Sequence, residues 1–384
     1  MIYLDNNATT YLPPEVLKVM MPYFSEEYGN AASVHAFGNR LMNQMDSARE
    51  SVGRLIGADP KDDLTFTSGG TESNNAIIYS AVKKFPNRRH VITSTVEHSS
   101  VGKVIDDLEK QGYEITRVPV DREGRLDFYF FKDSIRSDTA LVTLMWANNE
   151  TGVLSPVAEI SKVARQKGVL FHCDAVQAIG KVKIDLSKIP VDYLSISAHK
   201  LHGPKGIGLL YVRRGIPFAP MILGGAQQNG RRAGTENIAG IVGFAVASDM
   251  AQKFVSDAKE SEREEKLRRK LEEGLLNRIN DITIAGQGAE RIPNTSQIIF
   301  ERTEGEALLQ MMSDAGIYAS GGSTCTAGTT QPSHVLLAMG FNEKQSEAAI
   351  RFSLSRYTTE DEINDVLEVM PKLVSKLRSL SSIS

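Results

Sequence analysis

The sequence predicts an α/β fold, with a large, mostly parallel mixed sheet flanked by helices and a second, smaller α/β unit. Three observations carry this expectation. Short runs rich in branched and aromatic residues alternate with helical stretches through the first half of the chain, as crossover connections between parallel strands require. Near Gly240 the texture changes, and a long helical stretch leads into a new group of strands. The 384 residues, 41% hydrophobic and 24% charged, suffice for two buried cores and match ordinary globular composition.

In chain order, Leu64–Thr67, His90–Thr95, Glu114–Val120, Ala140–Trp146, Val169–Cys173 and Tyr193–Ser197 read as strands. Gly206–Arg213 follows the last of these after a loop too short for a crossover helix, so it should run antiparallel. Residues 240–280 read as one long helix, apolar first and then heavily charged from Lys259 onward. Opposite charges four residues apart make that second part a solvated face, without functional meaning. Strands at Ser296–Phe300 and Ile350–Leu354 belong to the second unit. The expected division is a large unit over 16–255 and a small one made of 1–15 with 256–384.

Composition narrows the function. A net charge of −3 gives no electrostatic reason to expect nucleic acid or an acidic membrane as partner. No run of about 18 apolar residues occurs; Ile238–Ala247, the longest, reads as the start of a buried helix. Met-Ile-Tyr-Leu-Asp at the start lacks the basic-then-apolar order of a signal peptide. Only Cys173 and Cys325 occur, which excludes a disulfide framework and a four-cysteine zinc site. The expected location is the reducing cytoplasm.

The chemistry gathers at strand ends. Ser197-Ala-His-Lys200-Leu-His-Gly-Pro-Lys-Gly-Ile-Gly208 places a lysine at the end of an apolar strand, where a buried cation is expensive. A Schiff base with a carbonyl cofactor removes that cost, and Ser197 and His199 can donate to an anion beside it. Alone, the stretch is equally compatible with a surface lysine in a glycine-rich turn. Phe171-His-Cys-Asp174-Ala-Val-Gln177 ends another strand. Asp174 there would pair a protonated pyridine nitrogen, and Gln177 would donate to a phenolate oxygen on the same ring; a helix N-cap is the plainer alternative for Asp174. Thr67-Ser-Gly-Gly70-Thr71 follows a strand and opens a helix, an arrangement that suits a phosphate but also occurs as an ordinary turn. His98, in Val96-Glu-His98-Ser-Ser, can stack on a ring and carry protons. Asn149 can bond the substrate carboxylate or a ring oxygen, and Arg351 offers the fork an amino-acid carboxylate needs, unless it is spent on an edge-strand salt bridge.

Together these pieces resemble the class V aminotransferase family of fold-type I pyridoxal 5′-phosphate (PLP) enzymes, and more closely its NifS/IscS-type cysteine desulfurases. The resemblance runs from Leu4-Asp-Asn-Asn-Ala-Thr9 to Arg351. It rests on Gly38-Asn-Arg40, Gly70-Thr71-Glu-Ser-Asn-Asn, Glu97-His98, Asn148-Asn149-Glu-Thr-Gly, Asp174-Ala-Val-Gln177, Ser197-Ala-His-Lys200, Arg232-Ala-Gly-Thr235-Glu-Asn and Gly322-Ser-Thr-Cys325. It implies Lys200 as the Schiff-base residue, Asp174 and Gln177 as ring partners, and His98 stacked on the ring. Gly70, Thr71, Ser197 and His199 become phosphate ligands, with Thr235 reaching the phosphate of the partner subunit in a homodimer. Arg351 and Asn149 become substrate ligands.

Cys325 separates a desulfurase from an aminotransferase. Its Gly/Ser/Thr-rich surroundings argue for an exposed thiol able to act as nucleophile, whereas Cys173 sits in an apolar strand and reads as core. The family more often shows Ser-Gly-Ser-Ala-Cys; Gly321 and Thr324 depart from that here. The implied reaction is conversion of L-cysteine to L-alanine with a persulfide on Cys325. Iron–sulfur scaffold proteins or tRNA-thiolation proteins would receive the sulfur. No resident metal is expected, and by the same resemblance Cys325 would be one ligand of a transient iron–sulfur cluster. Rival readings are transamination of serine or phosphoserine, a selenocysteine lyase, and a PLP-bound regulatory protein without catalysis.

Overall fold

The structure is a computed structural model that describes residues 1–321, 324–326 and 329–380, with side chains described for 1–321 and 331–380. Seven strands form the large sheet: β1 (Asp63–Thr67), β2 (His90–Ser94), β3 (Glu114–Val118), β4 (Thr139–Met145), β5 (Leu170–Asp174), β6 (Tyr193–Ser197) and β7 (Gly208–Val212). Their spatial order is β1-β7-β6-β5-β4-β2-β3. The neighbours from β6 to β3 pair parallel. Strand β7 runs antiparallel to both β6 and β1, as the short connection before it requires.

Strands β4 to β7 are buried along their whole length, so their residues are apolar on both faces. Three of the polar exceptions pair with each other. His172 in β5 bonds Thr143 Oγ1 at 2.8 Å in β4 and Ser195 Oγ at 2.9 Å in β6. One face of the sheet carries α1 (Ala36–Ile56) packed on α4 (Ile238–Ser256). The other carries α2 (Gly70–Lys84) and α3 (Ser99–Lys110).

The predicted single helix over 240–280 is two helices. Helix α4 stops at Ser256, Asp257 is extended (φ −93°, ψ 103°), and α5 (Ala258–Leu276) begins after it. The Asp257 carboxylate accepts from Lys259 N at 2.9 Å, which makes it the N-cap of α5. Helix α4 is long and apolar enough, by length and composition alone, to cross a membrane; here most of it is buried in the core.

The second unit is an antiparallel sheet of β8 (Ile282–Ala285), β9 (Thr295–Phe300), β10 (Ser320–Gly321) and β11 (Ala349–Ser353), in the order β10-β11-β9-β8. Helix α5 and the terminal helix α6 (Glu360–Leu380) pack on it around their own core, which includes Leu4. On these separate cores we propose the division into 16–255 and 1–15 with 256–384.

The N-terminal segment stitches the two sheets. Ser353 N donates to Leu4 O at 2.7 Å and Asn6 N to Ser353 O at 3.1 Å. Thr10 N then reaches His199 O at 3.1 Å, beyond the end of β6.

The buried His172 makes stability depend on pH. Burial pushes its imidazole down to about 3, whereas an unfolded chain protonates near 6.5. Between these values the unfolded state holds the extra proton, so stability falls as pH drops through that window. At pH 4.5 this ring should cost about 2–3 kcal/mol. Urea unfolding at pH 7 and 4.5 measures it, and His172→Gln should flatten the difference; an unchanged slope in the variant refutes the assignment.

Candidate active site

The carboxyl ends of β1, β2, β4, β5 and β6 share one edge of the sheet, where ligands of open α/β folds bind. A cavity of about 240 Å³ opens there. Gly70, Thr71, His98, Asn149, Asp174, Gln177, Ser197, His199 and Lys200 all line it.

One end of the cavity is built for an anion. Helix α2 starts at Gly70 with no side chain capping it, so its first N–H groups face the cavity rim. Glycines make the approach close. A Cβ on Gly208 would lie 2.6 Å from Gly69 Cα, and one on Gly70 would lie 2.6 Å from Val176 Cγ2. Ser197 and His199 stand beside them. Burial, reinforced by Lys200 and Lys205, pushes His199 down to about 4, so its ring is neutral near pH 7. The ring's Nδ1 bonds Thr9 Oγ1 at 3.2 Å.

The other end carries Asp174. Its Oδ1 accepts from Val176 N at 2.9 Å and its Oδ2 from Asn74 Nδ2 at 2.7 Å. The N-cap alternative is thus partly met, since Asp174 caps the turn after β5 while its carboxylate lines the cavity. Asn74 Nδ2 also donates to Ser100 Oγ at 2.8 Å, and that hydroxyl bonds His98 Nδ1 at 2.8 Å. Ser100 N donates to the same Nδ1 at 3.1 Å, so Nδ1 is the acceptor nitrogen and the His98 proton resides on Nε2. Burial lowers the His98 affinity for a second proton; Asp174 opposes this, and Lys200 and His334 add to it.

Lys200 lies in the turn after β6. Its amine donates to the main-chain carbonyls of Asn7 and, at 2.8 Å, of Ala8. Burial pushes it down to about 8; Arg351 adds to the shift, while Asp5 and Asp174 resist it. Gln177 Nε2 donates to Asn7 O at 3.0 Å. The Asn149 carbonyl accepts from Asn7 Nδ2 at 3.1 Å and from Arg351 Nη1 at 3.0 Å.

Three expected residues stand apart. Arg351 is buried on β11, between β10 and β9, not on an edge, and it does not line the cavity. Nor is its fork free: Nη2 pairs with Asp5 Oδ1 at 2.9 Å, Nη1 holds Asn149 O, and the buried Nε has no partner among the described residues. A substrate carboxylate must therefore compete with Asp5. Thr235 is exposed and outside this cavity, on a loop tied to α2 by the Arg232–Glu72 ion pair at 2.9 Å. Cys325 has its backbone in a strand Thr324–Thr326 paired with Thr329–Gln331, and its thiol lies outside the described residues. Cys173 is fully buried in β5, and burial raises its thiol well above the ordinary range, as an inert core position should.

Four residues of the constellation carried no role in the sequence reading: Asn7, Asn74, Ser100 and Lys181. Asn74 had a usable signal, since it lies one helical turn from Gly70 on the same face of α2.

A mostly parallel sheet that gathers a lysine, a carboxylate and an anion cradle at its carboxyl edge defines a lysine-based α/β transferase. The chain belongs to the class-V aminotransferase family, whose model matches residues 2–366. Over 380 residues it is 48% identical to the cysteine desulfurase of Trichormus azollae and 46% to the cysteine desulfurase NifS of Azotobacter vinelandii, covering 99% of this chain and 94% of each relative. Among solved structures, a NifS-like protein superposes with a TM-score of 0.91 at 38% identity, over 98% of this chain and all of that one. SspA in complex with cysteine gives 0.82 at 32% identity, over 94% and 100%.

The glycine packing is testable. Gly70→Ala would force Val176 aside and close the anion cradle. Calorimetric titration should show phosphate-bearing ligands binding at least about tenfold more weakly, the equivalent of roughly 1.4 kcal/mol. Unchanged binding would remove Gly70 from the cradle.

Proposed function

We propose that this chain is a cysteine desulfurase that holds PLP covalently on Lys200. The carrying observation is the convergence of Lys200, Asp174 and the uncapped start of α2 on one cavity, in a chain 46–48% identical over its length to curated cysteine desulfurases.

The residues fit that cofactor. The α2 N-terminus, Ser197 and His199 suit its phosphate, Gln177 its phenolate oxygen, Asp174 its protonated ring nitrogen, and the cavity-lining His98 ring one of its faces. When bound, the cofactor supplies an electron sink for charge developing at the substrate Cα. The Lys200 amine, once free, removes the Cα proton; a value near 8 leaves part of it unprotonated at neutral pH. His98, neutral and carrying its proton on Nε2, would donate and recover a proton within the cavity. Arg351 binds the substrate carboxylate in exchange for Asp5. The Cys325 thiolate attacks the substrate sulfur: the carbon–sulfur bond breaks, a sulfur–sulfur bond forms, and L-alanine leaves. The balance is L-cysteine plus one enzyme thiol giving L-alanine plus one enzyme persulfide.

The proposal extends to a cytoplasmic homodimer in which Thr235 serves the partner's phosphate site. The persulfide would pass to iron–sulfur scaffold or tRNA-thiolation proteins.

Incubation of purified protein with L-cysteine should yield alanine and a +32 Da adduct on Cys325 by mass spectrometry (the mass of one sulfur atom). Cys325→Ser should abolish sulfide release with dithiothreitol while keeping the visible band; retained sulfide release sinks the desulfurase reading. The rate kcat should rise with pH on a single limb near pH 8, because the protonated Lys200 amine cannot act as base. A flat profile between pH 6.5 and 9 would show that this proton transfer does not govern turnover.

A further inference from the structure

Lys181 is buried, lies outside the active-site cavity, and takes no part in the chemistry described above. It sits four residues after Gln177, in the turns that follow β5. Its Nζ donates to Gln177 Oε1 at 2.7 Å and to Asn7 Oδ1 at 2.8 Å. A lysine amine, neutral or charged, donates both of these bonds. The Gln177 carboxamide must therefore turn its oxygen toward Lys181 and its nitrogen away. That nitrogen spends one hydrogen on Asn7 O at 3.0 Å, and the second is left for the cavity that Gln177 lines. The other bond does the same for Asn7. With Oδ1 held by Lys181 and by Asn294 Nδ2 at 3.2 Å, Asn7 Nδ2 points to Thr295 Oγ1 at 2.8 Å and to Asn149 O. The Asn7 main-chain carbonyl is then fixed as the acceptor shared by Gln177 and Lys200.

We propose that Lys181 is a positioning residue that makes Gln177 an obligate hydrogen-bond donor into the cavity and holds Asn7 as the acceptor of the Lys200 amine when that amine is free of the cofactor. This rests on the reading that PLP occupies the cavity with its phenolate oxygen toward Gln177. With the carboxamide reversed, Gln177 would offer that oxyanion a second oxygen. The alternative role for Lys181 is a through-space charge. The charged and titratable groups around it are Lys200, Arg351, His199, His202 and Arg356, with Glu264 of α5 across a small cavity that also touches Lys200. The Glu264 Oε2 is buried without a hydrogen-bond partner among the described residues.

A double-mutant cycle on the visible chromophore separates the two roles. Donation from Gln177 stabilises the phenolate, so losing it should move the chromophore's apparent pKa up by roughly one pH unit. Spectrophotometric pH titration of wild type, Lys181→Met, Gln177→Ala and the double variant reads this. Positioning predicts that each single variant shifts upward and that the double variant shifts no further than Gln177→Ala alone. Additive shifts, or an unshifted Lys181→Met protein, overturn the proposal. Titration of the apoprotein with PLP should show Lys181→Met binding about tenfold more weakly, and Lys181→Gln, which keeps a donor, recovering most of that loss. Where Lys181→Met does not fold, Lys181→Gln carries the same cycle, and a shift additive with Gln177→Ala again overturns the proposal. A wild-type protein with no visible band removable by borohydride refutes the cofactor reading itself, before any variant is compared.

Discussion

The main-chain carbonyl of Asn7 is the point on which the candidate active site leans. It receives the Lys200 amine and the Gln177 amide, while the Asn7 side chain joins Lys181, Asn294, Thr295 and the Asn149 loop. Asn7 is 1% exposed, so water cannot replace these partners, and each buried polar group must find one within the protein. The segment that carries it belongs to neither sheet. It leaves the small sheet at Ser353 and joins the end of β6 through Thr10, so the two units meet at the residues that surround Lys200.

Burial is also the first cause of the protonation states around the cavity. It lowers Lys200, His98 and His199, and it raises Glu97, the residue before His98, to about 8. The result is a site with few fixed charges of its own. Neutral imidazoles line it, and the protonated Glu97 lies buried next to His98 in sequence. Dipoles held by hydrogen bonds, such as the Asn74–Ser100–His98 chain, then set which atoms donate. Fixed donors in a water-poor site act more strongly than the same groups in solvent.

Much of this was legible in the sequence because it is local. A short apolar run ending in a polar residue marks a strand end, and ligands of parallel sheets bind at strand ends. That rule marks Lys200, Asp174, His98, Thr71 and Asn149 as candidates, and the resemblance to a known family supplied their roles. The antiparallel direction of β7 followed from the length of one loop. Long-range pairing was not legible. The bond from Lys181 to Asn7 spans 174 residues and that from Arg351 to Asp5 spans 346, and no periodicity encodes either. A salt bridge was an open alternative for Arg351 in the sequence, but its partner Asp5 was not legible there for that reason. The helix break at Asp257 was hidden for another: a single capping residue interrupts a stretch whose composition favours helix on both sides.

The threading of the first ten residues has a consequence for how the chain is made. Leu4 and Asn6 bond Ser353, and Asn6 Nδ2 bonds the same carbonyl at 2.9 Å, across 347 residues of sequence. Residues 4–6 leave the ribosome long before Ser353, so their binding place exists only once β11 has been synthesised. The sheet carrying β1 to β7 can assemble earlier, with Lys200 and Asp174 at its edge but without the carbonyl that receives the lysine. The capture site is thus completed only after residue 353 has been made, and a nascent chain that stalls before residue 353 has its lysine in place and no floor beneath it.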